Sequence, residues 1–218
     1  FFNAILLPYV LRFLWAPLLE RYSLPFLGRR RGWMLVMQVS LIFAIAALGW
    51  WKPSTELQVI VLISIFIAIA SATQDVVLDA YRREILETEG ELALGNNLHV
   101  QAYRISSLIP GSLGLFLVGI IDWHTNFVVM AAFMLVGLGL TMVVREPKLV
   151  APPPGTLRDA VRLPFTEFFQ RRKLAPALAV LAFMVFYKLG DSMATALATP
   201  LYLEMQFTTK QIAVIAKN

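Results

Sequence analysis

The sequence predicts an all-α membrane protein, a bundle of bilayer-spanning helices. Two compositional observations point there: 58% of the 218 residues are hydrophobic and the mean hydropathy is +0.69. Only 15% are charged, against about 25% in soluble domains. The third observation is the spacing of the apolar runs. They recur at close to the 20 or so residues that a spanning helix needs, and basic residues gather in alternate loops. The net charge of +5 therefore belongs to membrane topology, and no nucleic-acid partner is expected. The chain has no cysteine and two distant histidines, His99 and His124, so neither a disulfide nor a metal centre is expected, and no cofactor.

Residues 1–19 predict the end of a first helix, closed by Glu20 and Arg21. A second runs over 32–51, with Trp50 and Trp51 as interfacial anchors. A third covers 57–80, and a fourth 94–121, interrupted by Arg104, Pro110 and glycines. A fifth covers 125–144, a sixth 174–203, and residues 209–218 begin a seventh. Between the fifth and sixth lies a long loop, 145–173, with the helix-breaking run Pro152-Pro153-Pro154-Gly155. Within it, residues 156–170 alternate charged and apolar side chains, as an amphipathic surface helix or a solvated connector would.

Loop charge sets the orientation. The loops at 20–31, 81–93 and 145–173 carry thirteen Lys and Arg residues, while the opposite side has only Lys52. The positive-inside rule makes the three basic loops cytoplasmic. The first helix then runs inward, and one outward helix is expected before Phe1. The sequence is accordingly expected to run from the second to the start of the eighth helix of a longer chain. Residues 1–144 form helices two to six of an N-terminal half, 145–173 a central cytoplasmic linker, and 174–218 the start of a C-terminal half. Two six-helix halves around a central site form a transporter layout.

Charges inside the apolar segments mark the candidate site: Arg12, Asp75, Asp79, Arg104, Lys188 and Asp191. Each costs about 2.5–3.5 kcal/mol at the centre of a spanning helix, so they must face one another or a wet cavity. Asp75 and Asp79 are four apart and share a helix face. Asp75 reads as a proton or substrate site, or as a static partner of Arg12 or Arg104. Asp79 lies near the cytoplasmic end, within reach of Arg82, Arg83 or the Gly-Arg-Arg-Arg loop. Lys188 and Asp191 are three apart, able to neutralise each other or to hold an anionic group. Arg12 can snorkel to the interface. Glycines and serines between Ser106 and Gly119 make one helix face small, suited to close packing in lipid.

The loop closing the first helix, Glu20-Arg21 followed by Gly28-Arg29-Arg30-Arg31, resembles the Asp-Arg-x-Gly-Arg-Arg signature of the major facilitator superfamily. Glu20 replaces the Asp and the spacer is longer. These residues, with Asp79, read as topology markers or as an ion-pair latch on the cytoplasmic side. The stretches FLWAPLLERY, FLGRRRGW, SATQDVVLDAYRREIL, AYRISSLIPGSLGL and YKLGDSMATALATPLYL occur in the same order and with similar spacing in the AmpG-type anhydromuropeptide permeases of that superfamily. The resemblance spans nearly the whole chain. It implies a multi-pass importer of the bacterial inner membrane, monomeric, carrying GlcNAc-anhydro-MurNAc and its peptide derivatives with protons for cell-wall recycling. A related branch moves acetyl-CoA, so another anionic solute is the alternative substrate. On this reading Asp75, Arg104, Lys188, Asp191 and Arg12 handle substrate or protons.

An enzyme is not expected. HExxH, GxSxG and phosphate-cradling glycine loops are absent, and Asp75 and Asp79 share one helix, unlike an aspartyl dyad. A transporter-like sensor that binds without accumulating ligand stays open; vesicle uptake separates the two.

Overall fold

The computed structural model describes residues 2–24, 28–147, 155–171 and 174–204. The helices are α1 (Phe2–Leu11), α2 (Ala16–Arg21), α3 (Arg29–Leu48), α4 (Leu57–Ile85), α5 (Glu89–Leu108), α6 (Gly114–Val118), α7 (Trp123–Val143), α8 (Leu157–Arg171) and α9 (Leu174–Glu204). The chain divides into two compact units, 1–160 and 161–218. The division falls inside the loop expected at 145–173. The seventh helix expected at 209–218 lies outside the described residues.

Three of the expected spans take a different form. The first is broken: α1 gives way to a 3₁₀ turn at Arg12–Leu14 before α2 begins. Pro17, in the first turn of α2, explains the break. It lacks an N–H and its ring crowds the carbonyl four residues back, so a continuous helix through 13–17 is costly. The third span does not stop at 80. It continues to Ile85, which puts Arg82 and Arg83 in its last turn rather than in a loop, where cations meet the negative end of the helix dipole. The fourth starts at Glu89, behind a capping box in which Thr88 and Glu91 satisfy each other's backbone N–H groups. It passes Arg104 unbroken and widens to a π turn at Ile109–Leu113, around Pro110.

In the first unit, α3 packs between α4 and α7. Among the described residues, α3, α4 and α7 are each long and apolar enough to cross a membrane. The α5–α6 segment does not meet that test; α5 carries Asn96, Asn97, His99, Gln101 and Arg104, and none of its residues is buried. Lipid gives apolar helices no hydrophobic reason to associate, so close packing and polar contacts must do it. Small residues supply the first: Ala68, Ala70 and Ala72 of α4 are buried. At Gly49 a Cβ would stand 3.0 Å from backbone atoms of His124, which marks how closely the end of α3 approaches α7. A cluster of Leu19, Met34, Val77 and Tyr81, with Trp15 and Trp33 against it, joins α2, α3 and α4. Large apolar side chains such as Phe43, Leu62 and Val136 point outward, as a lipid-facing surface requires.

In the second unit, α9 is a 31-residue helix. The amphipathic stretch expected at 156–170 is the helix α8.

Candidate functional site: a polar seam on α4 and its arginine end

Three polar residues of α4 fall on one face. Ser71, Asp75 and Asp79 are spaced by four, one above another along the helix. Opposite them stand side chains of α1 and the 3₁₀ turn. The Tyr9 hydroxyl donates to Ser71 Oγ at 2.9 Å, and Trp15 Nε1 donates to Thr73 Oγ1 at 3.0 Å. Further along α4 lies the ion pair of Arg12 with Asp75, N to O 3.9 Å. The break at Pro17 therefore has a consequence for the site: the 3₁₀ turn is what carries Arg12.

This pair is loose. At 3.9 Å there is no direct hydrogen bond, and the two side chains are 41% and 48% exposed within the chain. The Arg12 guanidinium is directed to Asp75. Electrostatic neighbours of Asp75 also include Asp79 and His99. Arg104 is exposed on α5 and makes no ion pair with Asp75. Lys188 is exposed on α9, in the second unit, and the Asp191 side chain lies outside the described residues.

The arginine end is built differently. Arg29 donates to Glu20 Oε2 at 3.0 Å and to Glu84 Oε1 at 2.6 Å. Arg30, with a side chain 4% exposed, donates to both oxygens of Glu20 and to Glu84. Two arginines of α3 are thus clamped by one acid from the end of α2 and one from the end of α4. Arg30 Nη1 is buried with no partner among the described residues. The cluster's acids are Glu20 and Glu84; Asp79 is not among them and instead accepts from Arg82, three residues on, at 2.9 Å. Arg21 lies over the Tyr22 ring, 5.6 Å from its centroid.

Arg31 and Glu146 form a reciprocal clasp between α3 and α7. The Arg31 guanidinium donates to the carbonyls of Thr141 and Met142, at 3.0 and 2.7 Å, in the last turn of α7. Glu146, just past α7, accepts the backbone N–H groups of Arg30 and Arg31 in the first turn of α3, at 2.7 and 3.0 Å. Each charge meets the helix end whose dipole favours it. Gly28 makes room: its φ is +91°, and a Cβ there would stand 2.6 Å from Glu146 Cδ. Tyr81 adds a bond from its hydroxyl to the Arg145 carbonyl at 2.9 Å.

Sequence reasoning missed Glu84 and Glu146. Glu84 lay in a supposed loop, and the sign that placed it in the cluster was available: extending α4 by one turn brings it to the same end as the Gly-Arg-Arg-Arg run. Glu146 gave no signal, because it is more than a hundred residues from the amides it caps.

The sequence profile of the Major Facilitator Superfamily matches residues 4–216. An uncharacterized protein of Haemophilus influenzae is 46% identical over 99% of this chain and 51% of its own length. The anhydromuropeptide permease of Escherichia coli K12 is 37% identical over 100% of this chain and 44% of its own length. The putative transporter AmpG 3 of Rickettsia typhi is 33% identical over 96% and 52%. The chain spans about half the length of these relatives. Apolar spanning helices, an arginine-rich turn clamped by acids between the first and second of the apolar segments, and a profile match over nearly every residue agree: this chain is that of a multi-pass membrane protein and belongs to the Major Facilitator Superfamily.

Proposed function

We propose that the protein is a secondary transporter of the bacterial inner membrane that imports anhydromuropeptides into the cytoplasm together with protons. The observation that carries the mechanism is the loose Arg12–Asp75 pair on the polar face of α4. Charges within a spanning helix mark ion or substrate paths when they are neither lipid-facing nor locked. The arginine end is locked, with hydrogen bonds of 3.1 Å or less. The Arg12–Asp75 pair is not. A proton on Asp75 removes the attraction and releases Arg12. An anionic group of the substrate competes for the same guanidinium. One exchange then couples the two, as alternating access around a midplane site requires.

The substrate assignment is supported by the Escherichia coli relative named anhydromuropeptide permease. Anhydromuropeptides bear carboxylates, which suit a guanidinium held only loosely by Asp75. Arg104, Lys188 and Asp191 are proposed as further substrate or proton residues. The cluster of Glu20, Arg29 and Arg30, joined by Glu84, is proposed as the latch that holds the cytoplasmic side in one state of the cycle. Arg21, Arg31 and Asp79 stand beside that latch rather than within it.

The test is uptake of labelled anhydromuropeptide into vesicles that contain the complete protein. Accumulation is expected with an inward proton gradient and is expected to collapse with an uncoupler. Asp75→Asn is expected to insert normally and to abolish accumulation. Wild-type uptake by that variant would remove Asp75 from the mechanism, and uptake indifferent to uncoupler would remove protons.

A further inference from the structure

Beyond the seam, α4 and α5 enclose a cleft with a volume of about 340 Å³, lined by Asp79, Arg82, Arg83, Leu92 and Asn96. Its floor is the last turn of α4 and its far wall the first turns of α5. Arg82 spends one amino group on Asp79, at 2.9 Å. Its other terminal nitrogen, Nη1, is buried and has no partner among the described residues. Arg83 is exposed and makes no ion pair among the described residues. Asn96 adds a carboxamide able to donate.

Four other arginines near this end are engaged. Arg29 and Arg30 hold Glu20 and Glu84, Arg31 holds carbonyls of α7, and Arg21 lies on a tyrosine ring. Among nearby acids, Glu84 is in the cluster, Glu91 turns back to the backbone N–H groups of Glu87 and Thr88, and Glu87 and Glu89 do not line the cleft. The cleft itself therefore holds two guanidinium groups against one carboxylate, an excess of positive charge with donors to spare. Its volume lies at the small end of ligand pockets, about 300–1,000 Å³, which admits an oxyanion with part of its carrier.

We propose that this cleft is an anion site, in which Arg82, Arg83 and Asn96 take a carboxylate or phosphate group at the basic end of the bundle. Guanidinium groups suit either oxyanion, because their N–H donors match both geometries. A soluble carboxylate or phosphate and a phospholipid headgroup offer the same chemistry. The site is distinct from the Arg12–Asp75 pair: Arg82 lies seven residues along α4 from Asp75, about 10 Å at 1.5 Å per residue.

The experiment uses the complete protein in nanodiscs and reads binding alone, so its outcome does not depend on proton coupling or on the substrate of transport. In neutral phosphatidylcholine discs, acetate and inorganic phosphate are titrated as soluble probes. In discs that also contain phosphatidylglycerol, retention of that lipid over phosphatidylcholine is measured by native mass spectrometry. Arg83→Gln tests the site through an exposed residue that no fold contact needs, and Arg82→Gln tests the buried donor. Arg158→Gln on α8 controls for net charge. Binding in either arm is expected to weaken about tenfold in Arg83→Gln and to be unchanged in Arg158→Gln. A loss confined to the first arm identifies a solute group, and a loss confined to the second identifies a headgroup. The proposal is overturned if both cleft variants bind both probes and lipid as wild type does, or if Arg158→Gln weakens binding equally.

Discussion

Asp122 shows how a single side chain fixes a helix end. Its carboxylate accepts from the Thr125 hydroxyl at 2.6 Å and from the Thr125 N–H at 3.0 Å, capping α7. These bonds favour the charged form and lower its pKa, the hydroxyl bond first. A folded-state pKa below the unfolded one means stability that is complete above the unfolded value, near 3.9, and lost as pH falls through the folded value. Hydrogen-exchange protection in the first turn of α7 is expected to hold down to about pH 4 and to drop below it. Asp122→Asn, which still caps, is expected to abolish that pH dependence. Glu84 poses a different question at the same scale. It faces Arg30, whose side chain is 4% exposed, and removing one partner of a buried pair costs about 3–5 kcal/mol. Glu84→Gln retains a hydrogen-bonding group, so a loss of about 2–3 kcal/mol is expected in detergent unfolding. Asp79→Asn breaks only a half-exposed pair with Arg82 and is expected to cost under about 1 kcal/mol. Equal losses would mean that the arginine cluster does not bind the ends of α2, α3 and α4 together.

At the scale of elements, α3 and α7 are held at one end by charges placed on each other's dipoles and at the other by close approach at Gly49. The Gly28–Glu146 contact can be tested as a cycle. Gly28→Ala forces a side chain onto a positive φ, which costs about 1–2 kcal/mol, and drives a Cβ into the Glu146 carboxylate. Glu146→Ala removes a cap at a cost of about 1–2 kcal/mol. The double variant is expected to lose less than the sum of the two, because the clash is gone. Strict additivity in thermal unfolding would mean that Glu146 does not sit against Gly28. The same scale explains the helix boundaries. The break at Arg12–Leu14 follows from Pro17, which the sequence displays openly. The extension of α4 to Ile85 does not, because charged residues such as Arg82, Arg83 and Glu84 suit a helix end and a loop equally well by hydropathy.

For the whole molecule, the unit of 1–160 carries the Arg12–Asp75 pair and the unit of 161–218 carries Lys188. Lys188→Ala is expected to weaken binding of an anionic muropeptide about tenfold, an effect of roughly 1.4 kcal/mol, and to spare a neutral analogue. An equal loss for both ligands would make Lys188 structural. The half-exposed state of Arg12 and Asp75 fits a polar face turned toward a cavity rather than toward lipid, where an ionised side chain is costly.

Composition and periodicity alone determined the membrane class, the order of the helices and the side that carries the arginines, because insertion free energy depends on local hydropathy and local charge. The residue strings were distinctive enough to show the family resemblance as well. Only the tertiary structure decided which charges are paired. The sequence left Asp79 open to Arg82, Arg83 or the arginine loop, and the fold gave it to Arg82 and put Glu84 with the loop. The sequence left Arg12 either to snorkel or to pair with Asp75, and the 3₁₀ turn set it against Asp75. Glu146 became visible only as a cap on a helix begun more than a hundred residues earlier. Pairing falls off steeply with distance, and distances between helices come from how their faces pack, which no local pattern encodes.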